Sequence, residues 1–539
     1  MQNPPINTRR SFPIWLPGVA TKSRQHLLVG LLLLIYVVIQ SYAITRLSIS
    51  YDEESFLQYG ITLLKGQGKK DISKFESKLP ITALNALPRA VEQLNDPTLK
   101  KNSPLEDVMA GRFISLMVSV ALGILIFSWS AKWYGYGAGC CSLIFYLLCP
   151  NFLAHGIFLS SDIYAFLFIA LTVFLFSQYY ETGKRLYFLG FSICFAFGLI
   201  SKFSLLHMIP VMIITAVVLW FYQTPKQAVF TRDHLILAGI FILVNWLVIS
   251  GSHLFYDLFF PLDKYEYRSA AFRDITGMLG SLSSFVYIPL PSSYIRSIDM
   301  VMYFDSLGGG VPGSLNGKPY ILGQYSTHGF WYYYFVCFFY KVPIAFLLIF
   351  LASVKLYARN FNVSQFMKKE IFLLVPFLYY LVYMSFFYST QVGIRHILII
   401  FPFMFVFTGY LFQKVLAGRT SIIIPALVAW ELISVASFFP HFLPYTNEFI
   451  TNKKNAYKKL ADTNLCYREG RRYIDEYLAT HKNAVFEPST PIAGLVIVEV
   501  NDYLGIQDDS VEGKYQWLRG LEPVDHIHSQ YLIFDVPVK

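Results

Sequence analysis

The groups best placed for chemistry are charged side chains at the rims of long apolar runs. Tyr51-Asp52-Glu53-Glu54 follows the first such run within a few residues. A carboxylate at that depth can take a proton from a hydroxyl. The same acids would also suit the positive N-terminus of a loop helix, and that alternative stays open. Asn151-Phe-Leu-Ala-His155-Gly, then Ser160-Ser161-Asp162, sits at the next turn on the same face. Asp162, like either serine, could simply cap a helix. With Asp52 and His155 it could instead bind a divalent metal or position a hydroxyl.

Cations recur beside these acids. Gly393-Ile-Arg395-His396 opens a later run. An arginine at a membrane rim often only snorkels. Here a glycine before it and a histidine after it suggest a seat for phosphate. Lys202 and Lys341 adjoin apolar runs and need partners or water. Lys78 stands just before Leu79-Pro80. Together these groups outline an outward, cation-lined pocket. Transfer of a sugar from a lipid phosphate needs such a set: a base for the acceptor hydroxyl, cations or a metal for the departing phosphate, and a groove for the lipid tail.

Composition says what must hold them. The chain is 55% hydrophobic and 14% charged, with mean hydropathy +0.47, where a soluble chain would carry about a quarter charged residues. The net charge of +10 fits cytoplasmic loops and anionic lipid better than nucleic acid. Five of the six cysteines fall in apolar runs and only Cys466 lies in a polar stretch, with no C-x-x-C pair. Neither a disulfide framework nor a thiolate zinc site is expected.

Apolar runs able to cross a bilayer recur at about 26–45, 112–132, 137–155, 162–180, 186–201, 203–222, 234–252, 331–354, 371–388, 395–413 and 420–439, about eleven in all. The first follows Arg9, Arg10, Lys22 and Arg24, and its length suits a retained helix rather than a signal peptide. Loop cations (Lys132, Lys184 with Arg185, Lys226 with Arg232, Lys355 with Arg359, Lys368, Lys369, Lys414 with Arg419) put the N-terminus in the cytoplasm. Two long outside loops result, at about 46–111 and 253–330. Ile81, Leu84, Leu87, Val91 and Leu94 recur as on a helix lying along a membrane surface, with Pro88 expected to shorten or kink it. Gly308-Gly309-Gly310 and Pro312-Gly313 predict mobility in the second loop. The expected division is a membrane domain, 1–445, and an extracytoplasmic tail, 446–539. The tail should hold a helix over about 455–478 and strands at 494–500 and 531–538.

The order of these blocks resembles bacterial membrane glycosyltransferases of the GT-C superfamily, related to protein O-mannosyltransferases and to the lipid A aminoarabinose transferase. The matching pieces include Asp52-Glu53 with Tyr59-Gly60, Leu79-Pro80, Ala110-Gly111-Arg112, Ala154-His155-Gly156 through Asp162, and Gly198 through Lys202 to Ser204. Further pieces are Gly323 through Lys341-Val-Pro343, Gly393-Ile-Arg395-His396, Phe439-Pro440-His441 through Asn447-Glu448, and Leu460-Ala-Asp462-Thr-Asn464-Leu465. Trp517-Leu-Arg519 with Glu522-Pro523-Val524 closes the series. The sequence departs from its relatives at Cys466-Tyr467-Arg468-Glu469.

The resemblance implies an all-α polytopic membrane protein of GT-C fold with a small extracytoplasmic α/β domain in the inner membrane. It implies inverting transfer from a polyprenyl-phosphate sugar to a protein or glycolipid acceptor. Asp52 would be the general base, supported by Glu53, with Asp162 and His155 lining the same cavity. Arg395 and Lys202 would face the lipid phosphate. A divalent metal is possible, and no other cofactor is called for. The main alternative is a transporter or flippase for a polyprenyl-linked lipid; a non-catalytic scaffold is a third reading.

Overall fold

The computed structural model describes residues 19–66, 77–95, 104–222, 231–308, 317–416, 422–507 and 513–538. Gly309, Gly310, Pro312 and Gly313, and the loop cations Arg9, Arg10, Lys226 and Arg419, lie outside the described residues.

Helix α1 (Val19–Arg46) leads to a loop carrying α2 (Glu53–Leu64) and α3 (Ala83–Asn95). Next come α4 (Pro104–Tyr134), α5 (Tyr136–Leu148), α6 (Pro150–His155), α7 (Asp162–Thr182), α8 (Arg185–Leu199), α9 (Met208–Tyr222) and α10 (Arg232–Ser252). A second loop holds α11 (Ala270–Leu279) and α12 (Ser292–Ser306), with two short ladders: β1 (Phe260–Pro261) with β2 (Tyr287–Ile288), and β3 (Tyr320–Ile321) with β4 (Gln324–Tyr325). Helices α13 (Tyr333–Lys341), α14 (Ile344–Arg359), α15 (Val363–Lys368), α16 (Ile371–Phe386), α17 (Phe401–Leu416) and α18 (Ile423–Ala436) complete the bundle.

Among the described residues, six helical stretches are long and apolar enough to cross a membrane, or seven if the bent pair α13–α14 is one span. The four shorter apolar helices are α5, α8, α16 and α18. The runs read from the sequence fall on these elements. Arg112 and Lys132 both lie on α4. Twenty residues of helix separate them by roughly 30 Å, so they mark opposite ends of the bundle. Lys132 meets Glu181 at 3.2 Å and Lys369 donates to Trp133 O at 3.0 Å, which gathers these loop cations at the end away from Arg112.

The bend between α13 and α14 is 116°. Pro343 has no N–H to continue the helix, and the residue before it is held extended. A break at that depth leaves carbonyls that need donors. Asn447 Nδ2 donates to Phe339 O at 2.6 Å and Val342 O at 2.9 Å, and Asn151 Nδ2 donates to Lys341 O at 2.9 Å. Lys341 itself is a strut. Its buried ammonium donates to Leu443 O and Asn464 O, each at 2.6 Å.

In the first loop, Gly60 lets α2 and α3 touch; an added Cβ would lie 2.8 Å from Ala86 Cβ. Helix α3 runs through Pro88 without ending there. Leu84, Leu87 and Val91 are 40%, 39% and 52% exposed, an apolar stripe suited to a membrane surface, whereas Ile81 turns into the core.

The tail forms a four-stranded sheet, β5 (Val485–Phe486), β6 (Gly494–Glu499), β8 (Tyr531–Val536) and β7 (Asp525–Ile527) in that spatial order. Helix α19 (Arg471–Thr480) covers it through Ile474, against Ile497 and Ile533. The single helix expected over about 455–478 does not form. Asp462 and Arg468 take φ values of 56° and 66°, which break a right-handed helix. The chain instead turns through 3₁₀ segments and delivers Asp462–Tyr467 to the bundle.

Gly393 is where the tail docks. Its φ is 100° and ψ 171°, and a Cβ there would lie 2.2 Å from Thr463 Oγ1. Its N–H donates to Tyr333 Oη at 2.8 Å, and Ile394 N–H donates to Asn464 Oδ1 at 2.9 Å. Gly393→Ala is expected to lose about 1–3 kcal/mol from backbone strain alone and more from the clash. A lower unfolding temperature for the detergent-solubilised variant, by intrinsic fluorescence, checks this; an unchanged temperature would contradict it.

Candidate active site

Glu53 and Arg112 build the platform. Glu53 opens α2, and its carboxylate is 1% exposed. Oε1 accepts from Arg112 Nε at 2.8 Å and from Leu159 N–H at 2.9 Å. Oε2 accepts from Arg112 Nη2 at 2.5 Å and from Ser50 N–H at 2.8 Å. The fully buried guanidinium also donates to Leu47 O at 3.2 Å and Ser48 O at 2.6 Å. One ion pair thus ties the end of α1, the start of α2, α4 and the turn before α7. With two donors on each oxygen and almost no exposed surface, the Glu53 carboxylate is turned into the fold rather than toward the cavity. It differs in this from its neighbour Asp52.

Asp52 sits one residue earlier, at the N-cap of α2, and its side chain makes no cap bond. It is 30% exposed. Oδ2 accepts a hydrogen bond from Tyr467 Oη and faces Arg395 Nη1 at 3.5 Å. Arg395 donates to the same phenol oxygen at 2.7 Å, with its guanidinium 5.0 Å over the Tyr467 ring. Tyr467 is 4% exposed and fixed by its backbone: Tyr51 N–H donates to Tyr467 O at 3.0 Å, and Tyr467 N–H donates to Glu469 Oε2 at 2.8 Å. Burial alone would raise the Asp52 carboxyl. Arg395, Lys78 and the Tyr467 hydrogen bond outweigh it and hold the group below the usual carboxylate range.

Lys202 pairs with Asp162 at 2.5 Å. Ser160 Oγ accepts from Asp162 N–H at 3.3 Å. His396 Nδ1 bonds Thr390 O at 3.1 Å. The loop ahead of it is held by Asp305, whose Oδ1 accepts from Ser389 N–H at 2.8 Å and Thr390 N–H at 3.0 Å. A cavity of about 490 Å³ opens beside these groups, lined by Phe56, Ser161, Lys202, His396, Met384 and Tyr388 among others. Lys78 stands 4.0 Å over the Phe56 ring. Burial and the nearby Arg395 hold its ammonium below the ordinary lysine range, against the pull of Asp52. His155 is buried at the end of α6, edge-on to Phe158. Arg395 Nε is a buried donor with no hydrogen-bond partner among the described residues.

The structure therefore gathers Asp52, Lys78, Arg395, Lys202, Asp162 and His396 at one end of the bundle. Asp52, His155 and Asp162 do not converge as a metal donor set. The set that does among the described residues is Glu487, Glu499 and Asp502, in the tail. Tyr467 is the central residue that motif reading misses, because it stands where the tail departs from its relatives.

Residues 106–250 match the family model described as dolichyl-phosphate-mannose-protein mannosyltransferase. That stretch runs from α4 to α10 and carries Arg112, His155, Asp162 and Lys202. What the chain is similar to is therefore a membrane glycosyltransferase of the protein O-mannosyltransferase kind, the resemblance its motifs carry. Among solved structures, the oligosaccharyltransferase of Archaeoglobus fulgidus tethered with an acceptor peptide is similar over 84% of this chain and 59% of its own, at 12% identity and TM-score 0.47. The archaeal oligosaccharyltransferase AglB from the same organism, in complex with an inhibitory peptide and a dolichol-phosphate, matches over 86% and 60%, at 10% and 0.43. ArnT from Cupriavidus metallidurans bound to undecaprenyl phosphate matches over 94% and 97%, at 10% and 0.33. The chain spans 59% and 60% of the length of these two archaeal structures. No curated protein sequence matches it.

Glu53→Gln should leave Arg112 buried without its counter-charge and cost about 3–5 kcal/mol. The paired variant Glu53→Gln with Arg112→Met should recover part of that loss. Thermal unfolding of the three proteins in one detergent decides it; equal stability of the single variant and wild type would contradict the platform role.

Proposed function

We propose that the chain is a glycosyltransferase that moves a sugar from a polyprenyl-phosphate donor to an acceptor hydroxyl, with inversion at the anomeric carbon. The observation that carries this reading is the Asp52–Tyr467–Arg395 cluster beside a cavity that also holds Lys202 and His396. Tyr467 and Arg395 both engage Oδ2 of Asp52, which leaves Oδ1 to accept a proton. The acceptor oxygen gives that proton to Asp52 and attacks the anomeric carbon. The bond from that carbon to the phosphate oxygen breaks, and the electron pair leaves with polyprenyl phosphate. Arg395 and Lys202 stabilise the departing anion, Arg395 through its spare Nε–H. Ser161, Met384 and Tyr388 wall the space for the sugar-phosphate and the first prenyl units. Asp162 positions Lys202 by the 2.5 Å pair.

The match to a mannosyltransferase family model supports this class, as do neighbours whose structures hold dolichol-phosphate and undecaprenyl phosphate. On this reading Asp52, Arg395 and the tail 446–539 share the extracytoplasmic face of the inner membrane. The N-terminus lies in the cytoplasm.

Asp52→Asn should abolish transfer of radiolabelled sugar from polyprenyl phosphate while the protein still inserts and folds. Full activity in that variant would remove Asp52 as base. Its pH profile carries a second expectation. A carboxylate with a depressed pKa stays ionised through neutrality, so the rate should fall only at acid pH. Tyr467→Phe deletes a donor that favours the ionised form, so its acid limb should move toward neutral pH. An unmoved limb would deny Tyr467 that role.

Arg395→Ala should raise the donor KM by roughly tenfold or more, as loss of a charged hydrogen bond to phosphate predicts, and leave the acceptor KM nearly constant. Initial-rate kinetics over both substrates test the split; an equal donor KM counts against a phosphate contact.

A further inference from the structure

A second cavity, of about 520 Å³, lies between the tail and the base of the first loop. Ser48 and Leu105 come from the helical domain; Arg468, Arg471, Glu487 and Glu499 come from the tail. The two stretches of backbone that hold Asp52 also wall this space. Ser48 N–H donates to Glu469 O at 2.8 Å, and Tyr51 N–H to Tyr467 O at 3.0 Å. Tyr467 reaches Asp52, while the next residue, Arg468, lines the second cavity with its guanidinium 4.9 Å over the Tyr51 ring.

The walls are unusually charged for a domain junction. Arg468 Nε faces Glu499 Oε2 at 3.7 Å. Glu499 is 3% exposed, and its Oε1 has no hydrogen-bond partner among the described residues. Arg471 lies 4.0 Å over the Phe486 ring. Arg468 and Glu487 have φ values of 66° and 46°, a region that residues with side chains seldom occupy without a compensating role.

We propose that this cavity is a saccharide subsite, which holds a sugar unit of a glycan-bearing acceptor beside Asp52. The proposal rests on the transferase reading above. Neighbouring hydroxyls of a sugar each donate and accept. They match guanidinium and carboxyl groups set side by side, and the charged partners strengthen those bonds. Phe486, with the Arg471 guanidinium over one face, supplies apolar surface for the ring. The volume lies within the roughly 300–1,000 Å³ of small-molecule sites. A peptide held by strand addition would need a longer edge than β5, which has two residues. A divalent cation would have acids within 4.8 Å of one another at Glu487, Glu499 and Asp502. Arg468 and Arg471 line the same space, and their charges oppose a cation there.

The test uses the full chain in lipid nanodiscs with no donor present. Saturation-transfer NMR is recorded with methyl α-mannoside, chitobiose and a bacterial core oligosaccharide, with a serine/threonine-rich peptide, and with calcium chloride as competitor. At least one saccharide should give a saturable signal. Arg471→Gln should weaken it by roughly tenfold, and so should Leu105→Trp, which fills the cavity from the opposite wall without touching the tail's charges. Calcium should not displace it. No saccharide signal, equal binding in wild type and both variants, binding of the peptide alone, or displacement by calcium would each overturn the subsite. Binding is read without turnover, so failure of the transferase reading appears separately, as no transfer of radiolabelled sugar from polyprenyl phosphate by the wild-type protein.

Discussion

The Glu53–Arg112 pair is the constraint on which the site depends. Both groups are shut away from water, and neither could stay there alone. Each carboxylate oxygen of Glu53 receives two donors, and Arg112 also donates to the carbonyls of Leu47 and Ser48. The pair therefore sets the path of the chain where α1 ends and α2 begins. Asp52 lies inside that path. Its position follows from hydrogen bonds made by its neighbour, which leaves its own carboxylate for Tyr467 and Arg395.

A second set of contacts brings in the tail. The break at Pro343 frees carbonyls that Asn447 satisfies, and Lys341 reaches from the same break to Asn464. Asn464 in turn bonds Ile394 N–H, next to Arg395. The polar groups that a bent helix leaves in a membrane are thus answered by the segment that follows the last helix. That segment must lie against the bundle, and it carries Tyr467 to Asp52. Broken helix, docked tail and completed cluster are one hydrogen-bonded system.

The sequence shows the parts of this system more readily than their partnerships. Apolar runs mark the helices because a bilayer admits no other reading of such lengths. Asp52, Arg395 and Lys202 stand out because charges at the rim of such runs are costly. Glu53 looks equivalent to Asp52 in the sequence; only the fold reveals that its neighbour is Arg112, 59 positions on. Tyr467 lies 415 positions from Asp52, and nothing local announces that pairing. The tail helix is misread because amphipathic spacing cannot foresee left-handed turns at Asp462 and Arg468, which tertiary contacts impose. Lys341 reads as one more cation of the outward pocket, yet its ammonium is consumed by two carbonyls.

Two cations near the first cavity are incompletely satisfied. Asp52, Asp162 and Asp305 stand against Arg395, Lys202 and Lys78, so the formal charges balance. Their pairing is uneven. Lys78 is held below its ordinary pKa by burial and by Arg395, and Arg395 keeps a buried donor without a partner among the described residues. A phosphate between them would relieve both, since an anion restores the lysine's preference for its charged form and accepts the idle N–H. The relief would be greatest when the phosphate carries most charge, which in the proposed reaction is after its bond to the sugar has broken. Binding that grows with developing charge is binding to the transition state. On that account two cations whose contacts improve as the charge develops are what would lower the barrier to transfer.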